Sequence, residues 1–72
     1  MEFVKERTAQ NLRAIRNLRN LSQQQLADKS GVSRESINGY EKAVTVMSLE
    51  AATKIANALD CSVDSLVLEM RV

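Results

Sequence analysis

Seventy-two residues make one domain, 1–72, with a small core, since a chain of this length hides only about 60% of the surface its unfolded form exposes. One cysteine, no histidine and no cluster of acids exclude an internal disulfide, a protein metal site and the usual general base, so neither an enzyme nor a cofactor is expected. Net charge is only +1, yet residues 1–42 carry eight basic against five acidic side chains (+3) and residues 43–72 carry two against four (−2), a split that suits offering the first part to a polyanion.

No apolar run approaches the ~18 residues of a membrane span. The opening MEFVKERTAQ turns polar too early for a secretory signal, and the lone Cys61 reads as a small buried residue. A reducing, cytoplasmic location follows as the expectation. With Phe3 and Tyr40 the only aromatic residues, the core must be aliphatic.

The first helix is predicted over 8–19, with Leu12, Ile15 and Arg16 on its inner face and Asn20 as a left-handed stop. Ser22 then caps a helix over 23–30, and Gln25 three residues on completes a capping box. Leu26 and Ala27 face inward there, and Gly31 ends it. Ser33 caps a third helix over 34–42, where Ile37, Tyr40, Glu41 and Val44 share one face and Arg34, Glu35, Asn38 and Lys42 the opposite one. A fourth helix, 49–59, is capped by Ser48 and turns Leu49, Ala52, Ile55, Ala56 and Leu59 inward. Ser62 caps a short fifth helix bearing Val63, Leu66 and Val67. The fold class is all-α. In the tail, LVLEMRV, apolar residues alternate from Leu66, so this end reads equally as a short terminal strand. Leu66, Leu68, Met70 and Val72 are the candidate dimer interface, because so many apolar residues at one end of a small chain call for cover.

The segment SQQQLADKSGVSRESINGYEK, 22–42, resembles the helix-turn-helix of the phage-repressor and Cro type (XRE-like) family. Ala27 is small where two helices cross, Gly31 supplies the positive φ of a tight turn, and Val32 and Ile37 lock the pair. The flanking LRAIRNLRNLSQ and SLEAATKIANALDCSVDSLV resemble the family's first, fourth and fifth helices, so the likeness covers about residues 8–68. It implies a compact five-helix, lambda-repressor-like domain that binds double-stranded DNA as a homodimer. Three departures stand out. Ser30 fills a usually apolar place, Gly39 lies inside the third helix, and AVTVM follows Lys42 where the family often has Gly, basic residues and Pro. Gly39 is read as allowing close approach to DNA, and Val44, Val46 and Met47 as packing inward or against a partner.

The likeness also assigns roles. It pairs Arg16 with Glu41 as a salt bridge between the first and third helices, which would answer the cost of two charges on apolar faces. In this motif the start of the third helix enters the major groove, making Arg34 the leading base reader, with Ser33, Glu35 and Asn38 beside it. Ser22 and Gln23 stand at a helix N-terminus, whose free N–H groups suit a phosphate oxygen, and Ser36 and Lys42 are further phosphate candidates. Arg13 and Arg19 read as solvated. The expected function is a transcriptional regulator, a repressor or a dual repressor and activator, on a palindromic operator. The alternative is an antitoxin-like or adaptor module that holds a protein partner on the same fold, using Ala43–Met47 and the tail.

Overall fold

The computed structural model describes residues 5–67. They form five helices: α1 (Lys5–Leu18), α2 (Gln23–Ser30), α3 (Arg34–Glu41), α4 (Leu49–Leu59) and α5 (Val63–Val67). No strand occurs among the described residues. The alternating tail beyond Val67, with Leu68, Met70 and Val72, lies outside them.

Serine caps set most of the starts. Ser22 Oγ accepts from Gln25 N at 3.0 Å while Gln25 Oε1 accepts from Ser22 N at 2.8 Å, so two orphan N–H groups are satisfied reciprocally. Ser33, Ser48 and Ser62 accept from the backbone N–H three residues on. The ends share one geometry. Asn20, Ala43 and Asp60 are left-handed at φ 59°, 59° and 55°. After α1, Asn20 N donates to Asn17 O and Leu21 N to Arg16 O. The same 5→2 and 6→1 pair closes α3 through Ala43 and Val44, and α4 through Asp60 and Cys61. Gly31, at φ 78°, ends α2 with a single N–H bond to Ala27 O at 2.9 Å, and the next helix is capped two residues later. Ser30, in a usually apolar place, uses its hydroxyl to accept from Val32 N at 3.1 Å.

α1 packs on α3 and α5, α2 on α3 and α4, and α4 on α5. The fully buried side chains come from every helix: Leu12, Leu26, Ile37, Ile55, Leu59 and Leu66. Each aliphatic side chain so hidden contributes about 1.5–3 kcal/mol. Asn11 Nδ2 donates to Leu66 O at 3.0 Å, tying α5 to the middle of α1.

Four readings change. α1 starts a turn before residue 8 and ends at Leu18, because Thr8 and Ala9 are buried on the stripe of Leu12 and Ile15 although Thr8 is polar. Leu49, expected inside, is 66% exposed: it opens α4, ahead of the turns that Ala52, Ile55 and Ala56 bury. Val44 and Val46 are exposed as well, which removes the inward alternative for both and leaves that of a partner, and only Met47 of that loop enters the core. Leu66 is fully buried within its own chain, so it has no surface left to offer a second copy.

Two predictions come from these termini. Alanine pays a steric cost of about 1–2 kcal/mol in the left-handed region, partly offset by its stiffer unfolded chain, so Ala43→Gly should stabilise the fold by about 0.5–1 kcal/mol in urea denaturation. Burial raises the pKa of the half-buried Cys61 thiol, against a lowering by Arg19 and with a further rise from Asp60. Cys61 should therefore react with iodoacetamide at neutral pH more slowly than a free cysteine, with the rate climbing as pH rises through the elevated pKa.

Candidate nucleic-acid interface

α3 has two faces with opposite chemistry. Ile37 and Glu41 are buried. On the other side Arg34, Glu35, Asn38 and Lys42 line one concavity, in which Arg34, Glu35 and Lys42 are exposed and Asn38 half-buried. The spacing i, i+1, i+4, i+8 brings these four to one side. Gly31 makes this presentation possible, because a one-residue helix stop followed at once by the Ser33 cap holds α3 at a fixed angle to α2.

Glu41 is the anchor. It is 3% exposed, and Arg16 from α1 grips both its oxygens, Nε to Oε2 at 2.6 Å and Nη2 to Oε1 at 2.9 Å. Arg16 Nη1 also donates to Leu21 O at 2.7 Å, so one guanidinium spans α1, the turn after it and α3. The hydrogen bond to Glu41, more than its charge, raises the Arg16 pKa, against a lowering by burial. Gln23 completes the group: its Nε2 lies 3.3 Å from Glu41 Oε1 and 3.3 Å from Asn38 Oδ1.

The remaining candidates divide. Ser22 and Gln23 stand together at the start of α2, the first as N-cap. Ser33 and Ser36 bond to each other, Ser33 Oγ donating to Ser36 Oγ at 2.8 Å, so both hydroxyls are engaged in the cap of α3. Gly39 faces not outward but the following loop. A Cβ added there would sit 3.2 Å from Thr45 Oγ1, and its carbonyl accepts from Val44 N and Thr45 N. The glycine thus lets the loop fold back on α3. Arg19, expected to be solvated, donates through Nε to Leu59 O at 2.8 Å and through Nη2 to Asp60 O at 3.4 Å, covering the C-terminus of α4. Arg13 Nη1 reaches Glu41 O at 3.5 Å. The links made by Arg19 and by Gln23 have no local signal in the sequence; each depends on which helices meet.

Among the described residues no group of His, Cys, Asp or Glu is placed to hold a metal ion, and no helix is long and apolar enough to cross a membrane.

The helix-turn-helix family profile matches residues 12–66. The chain belongs to the helix-turn-helix family. Control protein C.SmaI of Serratia marcescens is 41% identical over 64 residues, covering 89% of this chain and 76% of that protein. The cryptic phage CTXphi transcriptional repressor RstR of Vibrio cholerae is 40% identical over 63 residues, 88% of this chain and 53% of its own length, so the present chain spans about half of that repressor. Among solved structures, the restriction-modification controller protein C.AhdI from Aeromonas hydrophila superposes with a TM-score of 0.83 at 35% identity, covering 86% of this chain and 94% of that one. By name these helix-turn-helix relatives are a control protein, a transcriptional repressor and a restriction-modification controller.

The helix-turn-helix stands on the Arg16–Glu41 pair. Arg16→Ala would leave a carboxylate buried without its cation, at a cost of about 3–5 kcal/mol. In a domain of this size that approaches the whole folding free energy. Urea denaturation should show it, and unchanged melting would rule out a structural role for the pair.

Proposed function

We propose that the protein is a sequence-specific transcriptional regulator that binds double-stranded DNA as a homodimer on a palindromic operator, α3 of each copy entering the major groove. The observation that carries this reading is the division of α3 into a buried face, Ile37 and Glu41, and an exposed one that groups Arg34, Glu35, Asn38 and Lys42. A solvent-facing helix needs no such grouping beside a capped turn.

Arg34, in the first turn of α3, is the base reader: its planar fork fits guanine O6 and N7, worth about 1–3 kcal/mol of discrimination. Glu35 accepts from a cytosine amine or repels other edges, and Ser33 and Asn38 complete the base-facing set. Phosphates meet the N-terminus of α2 at the Ser22 hydroxyl and the Gln23 backbone N–H, with Ser36 and Lys42 flanking the groove. Two copies of α3 would enter successive major grooves about 34 Å apart. The exposed Val44, Val46 and Leu49 suit cover by a second copy. A restriction-modification controller and a phage repressor among the relatives support regulation by operator occupancy, as repression or as a dual switch, in the cytoplasm. The same exposed apolar residues would serve an adaptor that holds a protein partner, but that role gives no reason for the charged face of α3.

Selection of binding sites from a random duplex pool tests this. Wild type should enrich a palindrome. Arg34→Ala should relax one symmetric base pair, while Lys42→Ala should weaken all sequences alike and shallow the salt dependence by about one unit of slope. Failure to enrich any palindrome at low salt would refute the regulator.

A further inference from the structure

The buried ion pair reaches the exposed face of α3 through two amides, and the chemistry of that chain has a direction. A carboxylate can only accept hydrogen bonds. Glu41 Oε1 already takes one from Arg16 Nη2, and its next neighbour is the Gln23 side chain at 3.3 Å. Gln23 must therefore turn its NH2 toward Glu41, since its carbonyl oxygen there would oppose a buried negative charge. The same Nε2 carries a second hydrogen and lies 3.3 Å from Asn38. Asn38 can meet it only with Oδ1, because its NH2 there would set donor against donor. Each step fixes the next, from Arg16 to Glu41 to Gln23 to Asn38. Among the described residues, Asn38 Nδ2 has no hydrogen-bond partner. It belongs to the side chain that shares the concavity with Arg34, Glu35 and Lys42.

We infer that Gln23 is a specificity-determining positioning residue: by holding the oxygen of Asn38, it makes Asn38 present a hydrogen-bond donor to the DNA. The inference rests on the DNA-binding reading above and adds the kind of base edge that position 38 selects. An asparagine free to turn reads adenine with both ends of its amide, accepting from N6 and donating to N7. With Oδ1 committed to Gln23, that two-pronged contact is weakened, and adenine offers its N7 only beside the opposing N6 amine. Guanine, with acceptors at O6 and N7, or thymine, with O4, matches a donor directly. Cytosine, whose groove edge is the N4 amine, is rejected. The Arg16–Glu41 pair, which touches no base in this arrangement, thus sets the hydrogen-bond sense of a base-reading group.

Selection from a random duplex pool with wild type, Asn38→Ala, Asn38→Asp and Gln23→Leu tests the inference, each variant first being checked for an unchanged helical circular dichroism spectrum. Asn38→Ala locates the base pair that position 38 reads. In wild type that base should be guanine or thymine. Asn38→Asp keeps the bond to Gln23 but offers only acceptors, and should move the preference toward cytosine by about fivefold, the worth of one hydrogen bond. Gln23→Leu frees the amide to turn and should raise adenine at the same base pair by about fivefold, with no change elsewhere in the pattern. Two results overturn the inference alone: wild type choosing adenine at that base pair, or Gln23→Leu weakening every sequence equally without moving the preference, which would make Gln23 a phosphate clamp only. If wild type enriches no site at all, the DNA-binding reading falls and this inference falls with it. If Arg34→Ala still relaxes its own base pair, the reading stands whatever happens at position 38.

Discussion

A carboxylate 3% exposed in a 72-residue protein is a constraint that the rest of the chain must answer. Left alone, Glu41 would favour any conformation that returned it to water. Arg16 answers with a two-point grip and adds a third bond to the turn behind α1. A planar guanidinium bonds two oxygens only in a narrow set of orientations, so the pair sets the direction of α3 relative to α1 in a way that aliphatic contacts alone do not. The apolar side chains around it supply most of the free energy; the ion pair supplies the angle.

The turn solves the complementary problem on the other side of α3. Gly31 takes the left-handed conformation without strain, Ser33 closes the new helix two residues later, and Ala27, Val32 and Ile37 fill the crossing. α3 is therefore held from α1 by charge and from α2 by a short covalent link and close packing. Its remaining side needs no role in folding, and that side bears Arg34, Glu35 and Lys42 in the open.

Much of this was legible in the chain, and the parts that were not share a cause. Serines at positions 22, 33, 48 and 62 announce helix starts because capping is a local bond, three residues long, and the structure uses all four. Gly31 and Asn20 announce stops for similarly local reasons. Periodicity finds a stripe but not where cover for it ends. Thus Leu49 continues the pattern of α4 yet stands in solvent, while Thr8 interrupts the pattern of α1 yet is buried. Contacts between distant segments leave no local trace. Nothing near Arg19 tells that a helix will end beside it forty residues later, and nothing near Gln23 tells that its amide will lie between Glu41 and Asn38. Gly39 reads from the chain as room for DNA, and only the path of the loop shows that Thr45 fills the space beside it.

The uneven burial of the outer face of α3 bears on how such a protein can change over time. Arg34, Glu35 and Lys42 contact little that holds the fold, so substitutions there can accumulate one at a time, each altering the surface and leaving the frame intact. Asn38 differs, because its amide is joined to Gln23 and through it to Glu41. A new residue at 38 that cannot accept a hydrogen bond strands the Gln23 amide, and a new residue at 23 releases Asn38. Variation at these two positions should therefore be correlated among descendants of this sequence, while positions 34, 35 and 42 drift independently.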